Sequence, residues 1–391
     1  VRHPSSLSAA ELKSVFIIVT TAFYDDIKRQ LEEQGLIEFE HFAFWTFVVA
    51  RPSHMLKKVI RTNPRPGPEC RYAFSRLIVA VQGVFCCVCS PFITLPLGNI
   101  LVQSCEEIWR SAVAKIFRLS IVNHTYCFCR LPFCNERDKE KPVRQQYGTA
   151  DIAPAEVLQT VEFAFDCTCN LRCESCRDRA MHGNAGKIHE KIADSLLASP
   201  LVNAAESCQC CGGGEVFFGK GFEKLLFSDQ APVRREGVIL TNLQLFSEEK
   251  WRKVREHFRR IRFLVSMDGA TPETYERIRR GASFAVLMKN LRLVSALRQA
   301  REIETFTLNM VVQRKNFGEM PEMVKIADSL GADAMNFVKI MNWGTYSDRQ
   351  YHDEISMFES DDETMMPELR EAVHAILNSK HKASVAFAWQ L

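Results

Sequence analysis

Cysteine is missing from the last 180 residues of this 391-residue chain and from its first 69, so all 15 fall between Cys70 and Cys211. A disulfide-stapled secreted module spreads an even number of cysteines through a short chain, so an odd, clustered set in a long one points instead to thiolate ligands. The compartment expected is a reducing one, the cytoplasm. No basic-then-apolar leader opens the chain at Val1. An excess of one charge is lacking too: 50 Lys and Arg face 47 Asp and Glu, which gives no whole-chain case for binding nucleic acid. The uncharged run from Leu77 to Val102 is long enough for a membrane span, but Gly83, Pro91, Pro96 and Gly98 break it, so no membrane partner is expected. No internal repeat is visible. What remains, 47% hydrophobic and 25% charged residues, is a globular chain with length for two or three domains.

Three zones follow. In the first, residues 1–62, the apolar run Val15 to Val19 leads into a segment with Ile27 and Leu31 at helical spacing, ending at Gly35, which reads as a strand and then a helix. It resembles part of a Rossmann-like module, without a G-x-G-x-x-G. Asn63-Pro64-Arg65-Pro66-Gly67-Pro68 is a linker. Residues 68–140 hold short apolar segments, turns and eight cysteines. From 151 to 391, strand-like runs at Val161–Phe165, Gly237–Thr241, Phe263–Met267, Thr307–Val312 and Ala334–Ile340 alternate with helices. Helix starts are read at Ser247-Glu248-Glu249, at Thr271-Pro272-Glu273 and at a capping-box-like pair, Asn316 and Glu319. The basic run Arg252 to Arg262, interleaved with Trp251 and Phe258, reads as a solvated helix face. Strict alternation predicts an α/β fold with a parallel sheet, a partial or complete barrel.

The chemistry is expected directly after the first of these strands. Cys169, Cys173 and Cys176 stand in C-x3-C-x2-C spacing on a loop at the C-terminal end of a barrel strand, where such barrels carry catalytic groups. Three close thiolates can hold three irons of a [4Fe-4S] cube and leave the fourth open. A structural zinc site would want a fourth ligand, for which Cys167 is available, but it leaves the later motifs unexplained. Those motifs are Gly212-Gly213-Gly214-Glu215, Leu240-Thr241-Asn242, Ser266-Met267-Asp268-Gly269 with Tyr275 to Gly281, and Gln313-Arg314-Lys315-Asn316.

Together they resemble the radical S-adenosylmethionine (SAM) superfamily over roughly Val161 to Tyr346. The resemblance implies a partial (β/α)6 TIM barrel, with Gly212, Gly213, Gly214, Glu215, Asn242, Ser266, Asp268 and Arg279 contacting SAM. The departures are Ser175 where the family often has an aromatic, Val216 where proline usually follows the glycines, and Leu243 where glycine is expected. The earlier zone, with Cys70, Gly83 to Cys87, Gly98, Glu106 to Trp109, Cys129 and Cys134, resembles the auxiliary-cluster module called SPASM or its twitch relative, here placed before the barrel. That resemblance implies a second [4Fe-4S] cluster on Cys70, Cys87, Cys129 and Cys134, with Cys86 and Cys89 as alternatives to Cys87. A zinc or iron-sulfur staple needed only for folding is the competing reading.

The implied activity is reductive cleavage of SAM to a 5′-deoxyadenosyl radical, which takes hydrogen from a carbohydrate or peptide substrate. An external one-electron donor such as flavodoxin or ferredoxin is implied with it. The rival is a non-catalytic zinc or iron-sulfur protein. An RNA-modifying enzyme is disfavoured by the balanced charge.

Overall fold

The structure is a computed structural model and describes residues 17–19, 24–33, 36, 42–44, 52–68, 70–80, 84–86, 96–129, 134, 140–141, 152–176, 186–210, 214–342, 345–359 and 364–389. The chain forms two compact units, residues 160–186 with 203–391, and residues 1–159 with 187–202.

The larger unit is built on β1 (Thr160–Phe163), β2 (Ser207–Cys210), β3 (Arg234–Thr241), β4 (Phe258–Ser266), β5 (Thr305–Val312), β6 (Ala334–Lys339) and β7 (Ser384–Phe387). Each pairs in parallel with the next, so spatial order follows chain order. The α/β alternation read from the sequence is therefore realised, with two strands, β2 and β7, beyond the five strand-like runs read from it. Each has only four residues, too few to stand out by periodicity.

The connecting helices are α1 (Lys220–Phe227), α2 (Glu248–His257), α3 (Pro272–Ile278), α4 (Phe284–Gln299), α5 (Met320–Leu330) and α6 (Pro367–Leu377). Ser247, Thr271 and Ser283 cap α2, α3 and α4 by accepting from Lys250, Thr274 and Val286 N–H groups. Leu287, Leu291 and Val294 on α4 are fully buried, worth about 2 kcal/mol each. Side chains alternate along the strands. In β5, Phe306, Leu308 and Met310 are wholly buried while Thr307, Asn309 and Val311 are partly open. Trp251 of α2 meets Phe263 of β4 at 6.2 Å between ring centroids, which marks the helix-covered face. The opposite, inner face is the more polar one.

Two sequence readings are corrected. The basic run is not one helix face: α2 ends at His257, and Phe258 to Arg262 open β4, which pairs with β3 and buries Ile261, Phe263 and Val265 alternately. Arg260 and Arg262 then reach Glu236 on β3 at 3.4 Å each. Gly237 admits the Phe258 ring, since an added Cβ would sit 2.7 Å from Phe258 Cδ1. Asn316 and Glu319 are not a capping pair, because both side chains are committed elsewhere, as described below.

In the other unit, strand Ile17–Val19, helix Tyr24–Glu33 and strand Phe42–Phe44 make one βαβ turn with its strands parallel. Arg76–Ala80 and Val84–Cys86 form an antiparallel hairpin that Gly98–Asn99 extends. Helix Cys105–Arg110 starts with a Ser104/Glu107 capping box, and helix Ala112–Val122 follows. Arg118 is buried there, donating to the carbonyls of Ala73 and Trp109 at 3.1 and 2.5 Å and lying over the Trp109 ring. No described helix is long and apolar enough to cross a membrane.

Candidate functional site

The cysteine loop leaves β1 through Asp166, whose buried carboxylate accepts from the Thr168 N–H and hydroxyl at 3.0 and 2.6 Å and from Gly221 N–H at 2.9 Å. That carboxylate needs room. An added Cβ on Gly219 would lie 2.4 Å from it, and one on Gly214 would lie 2.1 Å from the Asp166 carbonyl oxygen. Gly214 is thus a point of close backbone approach between the glycine-rich segment and the cysteine loop, closed by Glu215 N–H donating to Thr168 at 2.8 Å. Gly212 and Gly213 lie outside the described residues, as do Cys87, Cys89 and Cys211.

Glu215 straps the first three strand ends together. Its carboxylate accepts from the Thr241 hydroxyl at 2.6 Å, Asn242 N–H at 2.7 Å and Phe217 N–H at 3.3 Å. Burial pushes this carboxyl up, against the opposing pull of the Asn242 and Thr241 donors. Asn242 in turn donates to Asn170 at 3.0 Å, with its amide nitrogen 3.9 Å from Cys169 Sγ. The next residue, Leu243, takes φ 60°, the left-handed region the missing glycine would occupy freely. Its side chain is fully buried and its carbonyl accepts from Asn290 at 2.8 Å, which hold it there.

On the other side, residues 172–174 run against the end of α3: Arg172 and Glu174 N–H groups donate to Arg280 and Ile278 carbonyls at 2.9 Å each. Glu174 contacts Lys315 and lies 3.6 Å from Arg280. Arg279, which from sequence alone could have been a surface residue, is 8% exposed and lies 2.9 Å from Asp268 as an ion pair without aligned hydrogen-bond geometry. Burial works against its charge, but Asp268 and then Cys173 hold it firmly protonated. Asp268 accepts from Val311 N–H at 2.8 Å, and Asn316 donates to the Asp268 and Val311 carbonyls at 3.0 and 2.9 Å. Glu319 accepts from Ala270 N–H and the Thr271 hydroxyl at 2.5 and 3.0 Å. Loops after β1, β3, β4 and β5 thus converge at one end of the sheet.

The three thiols fit a thiolate-ligated cluster in donor type and neighbourhood. Burial pushes Cys173 up to about 11; Arg279 pulls it back, while Asp268, Cys176 and Cys169 push further. Cys169 is buried and accepts from Leu171 N–H at 3.4 Å. Among the described residues no group of three His, Cys, Asp or Glu side chains is drawn into metal-ligating distance, so the fit lies in the loop and its electrostatics rather than in a formed cage. Ser266 ends β4 partly exposed.

In the other unit, Cys129 is pushed up to about 12 by burial first and then by Cys70, Cys134 and Cys127. Cys127 was not assigned from sequence, yet it stands with the three that were. The fold accounts for the gathering. Arg65 N–H donates to His124 at 2.9 Å, an added Cβ on Gly67 would strike the Tyr126 ring, and Gly67–Pro68 pairs with Glu140–Lys141. Left-handed His124 and Tyr126 lead into a tight C-x-C turn, closed by Cys129 N–H donating to the Tyr126 carbonyl; the sequence itself showed only the Cys127-Phe128-Cys129 spacing. Cys105 and Cys208 are by contrast buried thiols pushed up to about 12 and 11 by burial, and behave as small hydrophobes.

No family model and no curated protein matches the chain. Similar solved structures include Streptococcus suis SuiB bound to S-adenosylmethionine, at 13% identity over 60% of this chain and 51% of that one, TM-score 0.39. SuiB bound to precursor peptide SuiA shares 13% identity over 74% and 64%, TM-score 0.41. Native anSMEcpe with bound AdoMet and Kp18Cys peptide shares 15% over 58% and 63%, TM-score 0.35. The chain spans about half to under two thirds of the length of these structures. At such scores the functional reading stands on the residues described above.

Proposed function

We propose that the chain is a cytoplasmic radical SAM enzyme, with a partial-barrel core over residues 151–391, an auxiliary iron-sulfur domain over 68–140 and a Rossmann-like fragment over 1–62. The observation that carries it is the convergence of four strand ends on a loop bearing Cys169, Cys173 and Cys176, with the buried Arg279–Asp268 pair beside Cys173. When bound, a [4Fe-4S] cluster and SAM would supply one-electron cleavage of the sulfonium C–S bond and, from it, hydrogen abstraction from a carbohydrate or peptide substrate.

The chain's own residues bind and orient. Cys169, Cys173 and Cys176 would hold the cluster as thiolates. Arg279 stabilises negative charge at Cys173 while Asp268 fixes the guanidinium in place. Glu215 acts by locking Asn242 and the glycine-rich segment into position, because its carboxylate oxygens are already taken by the chain. Gly212, Gly213, Gly214, Asn242, Ser266 and Asp268 would line the SAM site. Cys70, Cys129 and Cys134, with Cys127 or Cys87, would hold the auxiliary cluster. An external one-electron donor such as flavodoxin or ferredoxin would supply the electron.

Anaerobic reconstitution with iron and sulfide followed by dithionite and SAM tests this. The expected product is 5′-deoxyadenosine, absent when Cys169, Cys173 and Cys176 are all alanine. Zinc without iron, and no cleavage of SAM, would return the chain to a structural metal protein.

A further inference from the structure

Asparagine is disfavoured inside strands, and a buried amide without a partner costs free energy. Two of them nevertheless face each other in the middle of this sheet. Asn309 on β5 is the register partner of Asn336 on β6, and Ser266 on β4 is the register partner of Asn309. Thr241 pairs with Val265, so Asn242 stands level with Ser266. One row of polar residues therefore crosses four strands on the inner face, starting at the residue that touches the cysteine loop. Neighbouring strands lie about 4.8 Å apart, which puts Asn309 roughly 10 Å and Asn336 roughly 14 Å from Asn242. On the helix-covered face of β5 and β6, Leu308, Met310, Met335 and Phe337 are all fully buried apolar side chains.

The two amides are bonded once. Asn336 Nδ2 donates to Asn309 Oδ1 at 3.0 Å. Asn309 Nδ2 and Asn336 Oδ1 have no partner among the described residues, and both side chains are partly exposed. A bond made only to strengthen the sheet would leave no preference for what lies above it. Here the first bond fixes both amide planes and leaves one donor and one acceptor next to each other. In an extended chain the N–H and C=O of a single residue point to the same side, and this is the group that such a donor and acceptor match. A sugar hydroxyl, which rotates to donate or accept, needs no such matched pair.

We propose that Asn309 and Asn336 together read the backbone N–H and C=O of one residue in an extended peptide, making the substrate of this site a peptide. The assignment deepens the radical SAM reading and rests on it for the identity of the site. Asn309 supplies the donor to the peptide carbonyl, and Asn336 the acceptor for the peptide N–H.

The test uses the full chain, reconstituted and with SAM bound, and ligand-observed saturation-transfer NMR. Three probes are compared: the capped peptide Ac-Gly-Ala-Gly-NH2, the same peptide with its alanine N–H replaced by an ester oxygen, and methyl β-D-glucopyranoside. The capped peptide should bind, the ester analogue about tenfold more weakly, and the glucoside not at all; tenfold corresponds to about 1.4 kcal/mol. Asn309→Asp keeps an oxygen to accept from Asn336 Nδ2 and loses only the free donor. It should melt within a few degrees of the native chain and bind the capped peptide about tenfold more weakly. Equal binding of peptide and ester, peptide binding unchanged in N309D, glucoside binding as strong as peptide, or no binding of the peptide each overturns the assignment. The ester comparison needs no variant, so misfolding of N309D leaves the test intact. Wild-type SAM cleavage is measured in the same samples: its absence sinks the radical reading, while its presence without peptide binding sinks this assignment alone.

Discussion

The cysteine loop after β1 and the Cys70–Cys134 set differ in what surrounds the sulfur atoms. The loop carries Cys167 besides the C-x3-C-x2-C set of Cys169, Cys173 and Cys176, and a cation stands beside it: Arg279, held by Asp268, lowers the cost of charge at Cys173. The loop is strapped to the ends of β2 and β3 through the Thr168 carbonyl and the Asn170 side chain, and to the end of α3 through the Arg172 and Glu174 N–H groups. The second set has four thiols, Cys70, Cys127, Cys129 and Cys134, with Lys58 and Arg65 as the cations near Cys127. It is shaped by left-handed residues and a packed tyrosine instead of by strand ends. Under the proposed function, three ligands supported from outside would suit a cluster that leaves one iron open, and four on short loops would suit a closed one. The two sets thus differ in what holds them, and that difference is what the following variants test.

The largest effect expected is on metal content. Replacing Cys70, Cys127, Cys129 and Cys134 by alanine should remove about half of the reconstituted iron, as should the triple change at Cys169, Cys173 and Cys176. Only the second should abolish 5′-deoxyadenosine formation by chromatography. Cys127→Ala alone sharpens the comparison: if Cys127 is a ligand, the iron lost should match that of Cys129→Ala.

Support from outside the loop is broken next. Gly214→Ala drives a methyl into the Asp166 carbonyl oxygen, 2.1 Å away, where backbone must move. It should cost about 3 kcal/mol by denaturant melt and lower iron retention at the catalytic loop alone. Asp268→Asn strands the buried Arg279 and should cost about 3 kcal/mol. Glu215→Gln puts an amide nitrogen against the Thr241 and Asn242 donors and should cost about 2 kcal/mol. No change in the second set is expected from any of the three.

A change remote from both sets gives the scale. Asp333, held below the usual carboxylate range by hydrogen bonds from Arg298 at 2.7 and 2.8 Å despite partial burial, also accepts from Phe306 N–H. A lowered carboxylate contributes stability that is present above its unfolded value of 3.8 and is lost as pH falls through the folded value. Asp333→Asn should flatten the acid limb of a pH melt. The pair is about one third exposed, so the loss at pH 7 should stay under about 1 kcal/mol.

The cysteine spacing, the order of the strands and the capped helix starts were legible because each depends on neighbours in sequence. Asp268 and Arg279 were legible as motif residues but not as an ion pair, since 10 residues of turn and helix separate them. Asn316 and Glu319 carried a local capping pattern that tertiary hydrogen bonds to the Asp268–Thr271 segment outcompeted. Phe258 to Arg262 read as helix because arginine and phenylalanine recur at both periods, and burial between strands decided for β4. Cys127 was passed over because pairing of Gly67–Pro68 with Glu140–Lys141, which helps bring Cys70 and Cys134 to its turn, has no signature in spacing.

The central claim is that Cys169, Cys173 and Cys176 leave one iron open to SAM. Electron paramagnetic resonance of the dithionite-reduced, reconstituted protein, recorded with and without SAM, tests it most directly. The cluster signal lost in the Cys169/Cys173/Cys176 triple alanine variant should shift on adding SAM, while the signal lost in the Cys70/Cys127/Cys129/Cys134 variant should not. A spectrum unchanged by saturating SAM, or a shift confined to the second signal, would contradict the account.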